Sequence, residues 1–98
     1  MATEEQVRQA LKQVEDPELG LNVVDLGLVY DIDVEGSTVN VRMTLTSPGC
    51  PVGPQILGGA RLAVQNLEGV EEANIQLVWE PYWSPDLINP EYRAILGF

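Results

Sequence analysis

The stretch LVYDIDVEGSTVNVRMTLT, residues 28–46, decides the fold of this 98-residue chain. Apolar side chains recur at every second position on both sides of the turn-forming segment EGST, 35–38. A period of two is typical of a strand with one buried and one exposed face. The stretch therefore predicts a β-hairpin with a four-residue loop, in the register that pairs Asp31 with Arg42 as opposite charges. The alternating apolar residues are Leu28, Tyr30, Ile32 and Val34, followed by Val39, Val41, Met43 and Leu45.

Segments of helical periodicity lie on both sides of this hairpin. Thr3 and Gln6 have capping-box spacing ahead of an i, i+3, i+4, i+7 apolar pattern, which predicts a helix that ends near Asp16. A second helix is predicted over 56–67, with the pair Gly58-Gly59 packed closely on the sheet. A third strand is predicted over 73–80. The pair Asn89-Pro90 is typical of the N-cap and first position of a final helical turn.

The order α-β-β-α-β predicts an α/β (α+β) fold of two layers. A small mixed three-stranded sheet is covered on one face by helices. Because β–helix–β crossovers are right-handed, the third strand is expected to run parallel to the second. A chain of this length forms one modest hydrophobic core, so residues 1–98 are expected to form a single domain.

Composition narrows the class of function. Five Lys and Arg against fifteen Asp and Glu give a net charge of −10, and no two basic residues lie within three positions of each other. Because nucleic acids and anionic membranes bind clustered Lys and Arg, neither is an expected partner. The absence of histidine excludes catalysis by Ser–His or Cys–His pairs and histidine zinc sites. The polar N-terminal stretch does not resemble a signal peptide, and we expect a cytoplasmic protein.

Three irregular segments are expected to meet at one end of the sheet. Six of the seven prolines lie in SPGCPVGP (47–54) and WEPYWSPDLINP (79–90), which follow the second and third strands. Parallel strands place both segments at the same end, where sites of α/β proteins are usually built. The connection 16–27 enters the first strand at that end. The three segments therefore converge around Cys50.

Cys50 is the only cysteine, so the chain forms no internal disulfide. It lies at or just before a predicted helix N-terminus, where free N–H groups and the helix dipole favour a thiolate. Neighbouring carboxylates act in the opposite direction. Cys50 is either a reactive or metal-binding thiol or a small buried apolar residue, which is the commoner fate of a lone free cysteine.

The polar and aromatic residues of the other segments each allow more than one interpretation. Asp16 and Asp25 are ligands, partners of the thiol, or residues that stabilise turns. Thr46 and Ser47 donate hydrogen bonds to a sulfur or an anion, or simply end the strand. Tyr82 and Trp83 form a lid or an anchor for a partner, or else pack on the last helix.

Three motifs carry a resemblance to a known family. The segments DPELGLNVVDLGLVYDI (16–32), TLTSPGCP (44–51) and WEPYWSPDLI (79–88) resemble the signatures of the SufT/PaaD-like, or MIP-eighteen, family of iron–sulfur assembly proteins. The similarity covers almost the whole chain. Tyr82 stands where the family more often has a second proline. Asn89 stands where it often has serine.

This resemblance implies a fold like the C-terminal domain of NifU and a role in maturing iron–sulfur proteins. It points to Asp16, Thr46 and Cys50 as the site group, with Pro51 beside the thiol and Trp83 and Pro85 in the neighbouring loop. It also implies iron–sulfur assembly proteins and client apoproteins as partners.

A single thiol per chain limits what such a site can hold. Clusters usually take four thiolate ligands, one chain supplies one, and a homodimer would supply two. We expect a labile iron–sulfur cluster, or iron, shared between protomers or with a client, and transfer rather than enzymatic activity. The alternative is a metal-free adaptor that docks proteins through Tyr82, Trp83 and Pro85 and an acidic surface. A thiol enzyme is the third hypothesis, and it lacks an evident base or activating cation.

Overall fold

The computed structural model describes residues 2–17, 20–45, 53–80 and 83–96. Strands β3, β4 and β5 form a mixed sheet in that order, with β3 antiparallel and β5 parallel to β4. The predicted fold class is thereby confirmed, as is the parallel orientation of the third predicted strand to the second. The elements are α1 (Glu4–Leu11), β1 (Glu15–Asp16), β2 (Leu21–Asn22), β3 (Val29–Glu35), β4 (Thr38–Met43), α2 (Gly53–Gln65), β5 (Glu72–Leu77), a 3₁₀ helix (Pro85–Leu87) and α3 (Pro90–Leu96).

The central hairpin has the predicted register, with Asp31 opposite Arg42. The loop is shorter than predicted, because Glu35 and Thr38 are themselves paired and only two residues connect them. Gly36 adopts φ +63°, and a positive φ at the first of two loop residues is typical of a type II′ turn. A register shift between Val29 and Asp31 interrupts the ladder near its other end.

Helix α1 begins at the predicted capping box but ends earlier than predicted. The Thr3 hydroxyl accepts from the Gln6 backbone N–H, and the Gln6 side chain accepts from the Thr3 backbone N–H. The helix ends at Leu11 instead of near Asp16. The residues that follow enter a two-stranded ladder, because β1 pairs with β2 and the Val14 carbonyl accepts from Val23 N–H at 2.9 Å.

Two glycines of α2 have a different role from the predicted one. The expectation that Gly58-Gly59 packs closely on the sheet was wrong. A Cβ at Gly58 would meet nothing within 4 Å, and one at Gly59 would lie in ordinary contact with Val14. Close packing occurs instead at the start of the helix, where a Cβ at Gly53 would lie 2.7 Å from a methyl carbon of Leu45.

The core lies between the sheet and the helices on one of its faces. Helix α1 packs on β3, helix α2 packs on β5, and the two helices contact each other. Strand β5 ends at Leu77, earlier than predicted, and Trp79 packs beyond it as a half-buried side chain. In the described ranges, no helix is long and apolar enough to cross a membrane. The largest buried side chains include Val7, Leu11, Leu26, Leu28, Val39, Val41, Met43, Ile56, Val64 and Ile88.

Candidate functional site

A compact turn joins β2 to β3 and carries Asp25. The Asn22 side-chain amide donates to a carboxylate oxygen of Asp25 at 2.6 Å, and the Asp25 backbone N–H donates to the Asn22 side-chain oxygen at 2.9 Å. The turn is closed by bonds from Leu26 N–H to the Asn22 carbonyl and from Leu28 N–H to the Val23 carbonyl. Side chains of the Asn and Asp type commonly form such local bonds in turns.

The chain that follows β5 is bound to this turn through Asn89. Asn89 N–H donates to the Asp25 carbonyl at 2.7 Å, and the Asn89 side-chain amide donates to the second carboxylate oxygen of Asp25 at 3.3 Å. The Asn89 side-chain oxygen also accepts from Glu91 N–H, which makes Asn89 the predicted N-cap of α3. We call the contacts of Asn22, Asp25 and Asn89 the Asp25 clamp.

Trp83 holds the same two segments together a few residues earlier. Its indole N–H donates to the Leu26 carbonyl at 2.6 Å, and its half-buried ring packs against the core. Next to it, Gly27 adopts φ +76°, and a Cβ there would overlap the Leu87 carbonyl. Glycine is therefore required where residues 83–89 cross over the turn.

The end of β4 reaches the same region. Thr44 N–H donates to the Leu28 carbonyl at 2.8 Å, so the chain leaving β4 stays beside the turn. Leu45 in turn packs against Gly53, the first residue of α2. The two residues that flank the segment 46–52 are thus in contact at this end of the sheet. The candidates Thr46, Ser47, Cys50 and Pro51 lie outside the described residues, as does Tyr82.

Asp16 occupies a buried position at the start of the candidate site. Only 1% of the residue is exposed, and it pairs with Leu21 across the short β1–β2 ladder. Its carbonyl accepts from Gly20 N–H at 2.8 Å. A buried carboxylate side chain is uncommon without a specific partner, which sets Asp16 apart from the exposed acids of the chain.

The structure brings together the segments of Asp25 and Trp83, and Pro85 begins the 3₁₀ helix between Trp83 and the clamp. The sequence analysis did not identify Asn22 as a partner of Asp25, nor the buried Thr44. The Asn-x-x-Asp spacing of residues 22–25 was the signal for the first. Thr44 carries no comparable signal. It occupies a polar position in the alternating pattern of the strand, which predicts an exposed side chain.

The electrostatics of the described region are simple. Both carboxylate oxygens of Asp25 accept from amide groups, which favours a role in positioning the turn. Burial raises the pKa of Tyr30, which lies at the register shift of β3. Within the described ranges, no group of three or more Cys, Asp or Glu side chains is arranged to hold a metal ion.

The chain was compared with known proteins. A model of the family described as "Iron-sulfur cluster assembly protein" matches residues 4–77. This chain belongs to that family. The resemblance stated from the three sequence motifs is confirmed.

Curated relatives match most of the chain. It is 41% identical to the "Fe-S protein maturation auxiliary factor YitW" of Bacillus subtilis over 98% of this chain and 95% of the relative. It is 40% identical to the "Fe-S protein maturation auxiliary factor SufT" of Staphylococcus aureus, over 84% and 94%. The conserved hypothetical protein TM0487 from Thermotoga maritima has the same fold, with a TM-score of 0.89, 45% identity, and coverage of 99% and 96%.

Proposed function

We propose that this protein is an accessory factor in the assembly or transfer of iron–sulfur clusters, and that Cys50 is its thiolate ligand. The observation that carries the proposal is the 41% identity, over 98% of the chain, to a protein named as an iron–sulfur maturation auxiliary factor. The role of Cys50 rests on a further argument from the sequence. It is the only thiol in the chain, so any thiolate ligand that the protein supplies is Cys50.

The geometry of the described residues supports a site at this end of the sheet. The Asp25 clamp and the Trp83 hydrogen bond attach the segment after β5 to the turn before β3. Leu45 and Gly53, which flank the Cys50 segment, are in contact beside that turn. The turn before β3 thus contacts both the segment after β5 and the chain that leaves β4 toward the Cys50 segment.

Incomplete ligation suits transfer. A cluster held by one thiolate per chain needs further ligands from a second copy, a small thiol or a client protein, because clusters usually take four. Such a cluster is exchanged more readily than one with four ligands from one protein. The cluster is then cargo, the partners are assembly proteins and client apoproteins, and the protein acts without catalysing a reaction of its own.

Anaerobic reconstitution with iron and sulfide tests the role of Cys50. The wild type is expected to acquire visible absorption together with bound iron and acid-labile sulfide. Cys50→Ala is expected to acquire neither, because the only thiolate is gone. Circular dichroism of both proteins before reconstitution establishes that they share one fold. Equal uptake by the two proteins, or negligible uptake by both, would contradict the proposal.

A second candidate function, a metal-free adaptor, is favoured by one surface feature. Leu87 is 42% exposed and borders a cleft of about 490 Å³ that also includes Gly27, Tyr30, Arg42 and Glu80. A concave surface with an apolar side chain at its rim can receive an anchoring side chain of a partner protein. If this function is correct, Leu87→Ala abolishes capture of purified assembly proteins and Cys50→Ala leaves it intact. The reverse pattern supports cluster handling.

A further inference from the structure

Strand β5 is the last strand of the three-stranded sheet, and in the described part of the chain nothing pairs with its outer edge. Val78 N–H donates to the Met43 carbonyl at 2.9 Å, so the backbone N–H and C=O groups of even-numbered β5 residues point toward β4. Because neighbouring residues of a strand point their N–H and C=O groups in opposite directions, Ile75 and Leu77 present theirs outward. Unpaired edge groups are a template for pairing with another chain.

One end of this edge is closed by a side chain. The Gln65 side chain donates to the Glu71 carbonyl at 2.7 Å and accepts from Ala73 N–H at 3.2 Å. These two bonds replace those that a neighbouring strand would make. The bond from Ala73 N–H also establishes that the backbone N–H and C=O groups of odd-numbered residues point away from β4. The edge is therefore blocked as far as Ala73, and no described residue pairs with it at Ile75 and Leu77.

A groove accompanies the edge on the helix side. A cavity of about 440 Å³ lies between α2 and β5, bordered by Leu57, Gly58, Arg61, Ala73, Asn74 and Ile75. Gly58 leaves this space open, because a side chain there would meet nothing within 4 Å. Leu62, on the same helix, borders the adjoining cavity and is 63% exposed.

The charges around the groove favour a basic occupant. Glu71 and Glu72 border its adjoining part, where they outnumber the single guanidinium of Arg61, and the whole chain carries −10. A strand added at Ile75 and Leu77 would point alternate side chains toward the Gly58 cavity and toward the open face of the sheet, and its end nearest Ala73 would approach Glu72. We propose that the β5 edge binds an extended segment of a partner polypeptide in which apolar and basic side chains alternate.

A second copy of the chain fits this edge less well. It would bring a second charge of −10 and place no basic segment beside Glu71 and Glu72, because no two Lys or Arg residues of this sequence lie within three positions of each other. The groove adjoins the first half of β5, whereas the clamp and Trp83 follow that strand. The proposed docking surface includes none of the residues of the candidate cluster site, and its test is independent of Cys50.

Nuclear magnetic resonance of the full, isotopically labelled chain tests the proposal. The probe is the capped peptide acetyl-Lys-Val-Lys-Val-Lys-Val-Lys-amide, which is long enough for one added strand. We expect shift changes confined to residues 57–62 and 71–77 and slower hydrogen exchange at the amides of Ile75 and Leu77. A matched peptide with Glu in place of Lys is expected to bind about tenfold more weakly. The Lys peptide methylated on alternate backbone nitrogens is also expected to bind about tenfold more weakly, because it cannot donate hydrogen bonds to the β5 edge.

Two variants at one position locate the peptide. Gly58→Phe fills the groove and is expected to weaken binding about tenfold, while Gly58→Ala, the matched control, leaves it nearly unchanged. Binding by Gly58→Phe equal to that of the wild type overturns the proposal, as do shifts elsewhere or equal binding of the methylated peptide. Exchange protection of Ile75 that rises with protein concentration alone would assign the edge to a second copy, and would also overturn it.

Discussion

The indole of Trp83 is the side chain that joins the segment after β5 to the turn before β3. Its N–H donates to the Leu26 carbonyl at 2.6 Å in half-buried surroundings. Trp83→Phe keeps one aromatic ring but removes the N–H donor and the second ring, which leaves the Leu26 carbonyl without this partner. We expect a loss of about 1 kcal/mol in the free energy of unfolding, measured by urea denaturation.

Trp79→Phe is the matched control for this variant. Trp79 is also half-buried against the core, and no indole hydrogen bond is found for it among the described residues. Its replacement is expected to cost less than that of Trp83. Equal losses for the two variants would indicate that the Trp83 bond contributes nothing specific.

Two glycines with opposite environments give a paired prediction. Gly58 lies in α2 with open space around it, so Gly58→Ala is expected to stabilise the protein by about 1 kcal/mol through helix propensity. Gly27→Ala combines a positive φ with an overlap at the Leu87 carbonyl, and is expected to destabilise it by about 2 kcal/mol or more. Thermal unfolding of both variants measures the difference, and changes of the same sign would contradict this structural description.

Tyr30 predicts a dependence of stability on alkaline pH. Burial raises the pKa of its phenol in the folded chain, so the folded state holds the proton more strongly than the unfolded state. The contribution of Tyr30 to stability is therefore complete below the unfolded pKa of about 10 and declines as the pH rises through the folded value. Ultraviolet titration of the wild type should show a late-ionising tyrosine that is missing in Tyr30→Phe. An unchanged titration curve, apart from one ordinary tyrosine, would contradict the assignment.

At the scale of elements, the Asp25 clamp fixes the start of α3. Asp25→Ala removes the bonds from the Asn22 and Asn89 side chains and leaves the backbone bond from Asn89 in place. We expect a loss of about 2 kcal/mol, because hydrogen bonds to a charged group are among the stronger ones. Hydrogen exchange is expected to become faster in residues 85–96.

Asp33→Ala serves as the control for the clamp, because Asp33 is an exposed acid on β3. It alters the net charge by the same amount and removes no bond of the clamp. If both variants lost equal stability, the effect would be one of charge, and the clamp would have no particular importance.

The elements themselves were predictable where one local signal determined them. The hairpin register followed from alternation and one charge pair, and α1 began at its capping box. The end of α1 was not predictable in the same way. Val14 continues the helical period, yet its carbonyl bonds to Val23, a contact that depends on the turn between β1 and β2. Long-range pairing of this kind leaves no periodic trace in a sequence.

In the candidate site, too, some features were predictable from the sequence and others were not. The convergence of the turn before β3 with the segment after β5 followed from strand directions alone, and the bonds of Asp25 and Trp83 confirm it. The Asn-x-x-Asp spacing was the one signal for Asn22, and Asn89 was predicted as an N-cap but not as a partner of Asp25, because isolated asparagines are common in turns. The functions of Asp16, Thr46, Ser47, Pro51, Tyr82 and Pro85 stay predictions.

At the scale of the whole molecule, the chain offers one thiol, no histidine and a charge of −10. Under the proposed function, a single thiol and the absence of histidine favour brief binding of a cluster over its retention. A single thiolate provides a quarter of the usual ligand set, so release to an acceptor with four cysteines is favourable.

Cluster transfer to an apo-ferredoxin, followed by visible circular dichroism, tests this account most directly. The reconstituted wild type is expected to convert the acceptor to its holo form, whereas Cys50→Ala treated in the same way is expected to do no better than free iron and sulfide. If Cys50→Ala supported the same rate and extent of conversion, the thiol would have no part in transfer, and the account would be wrong.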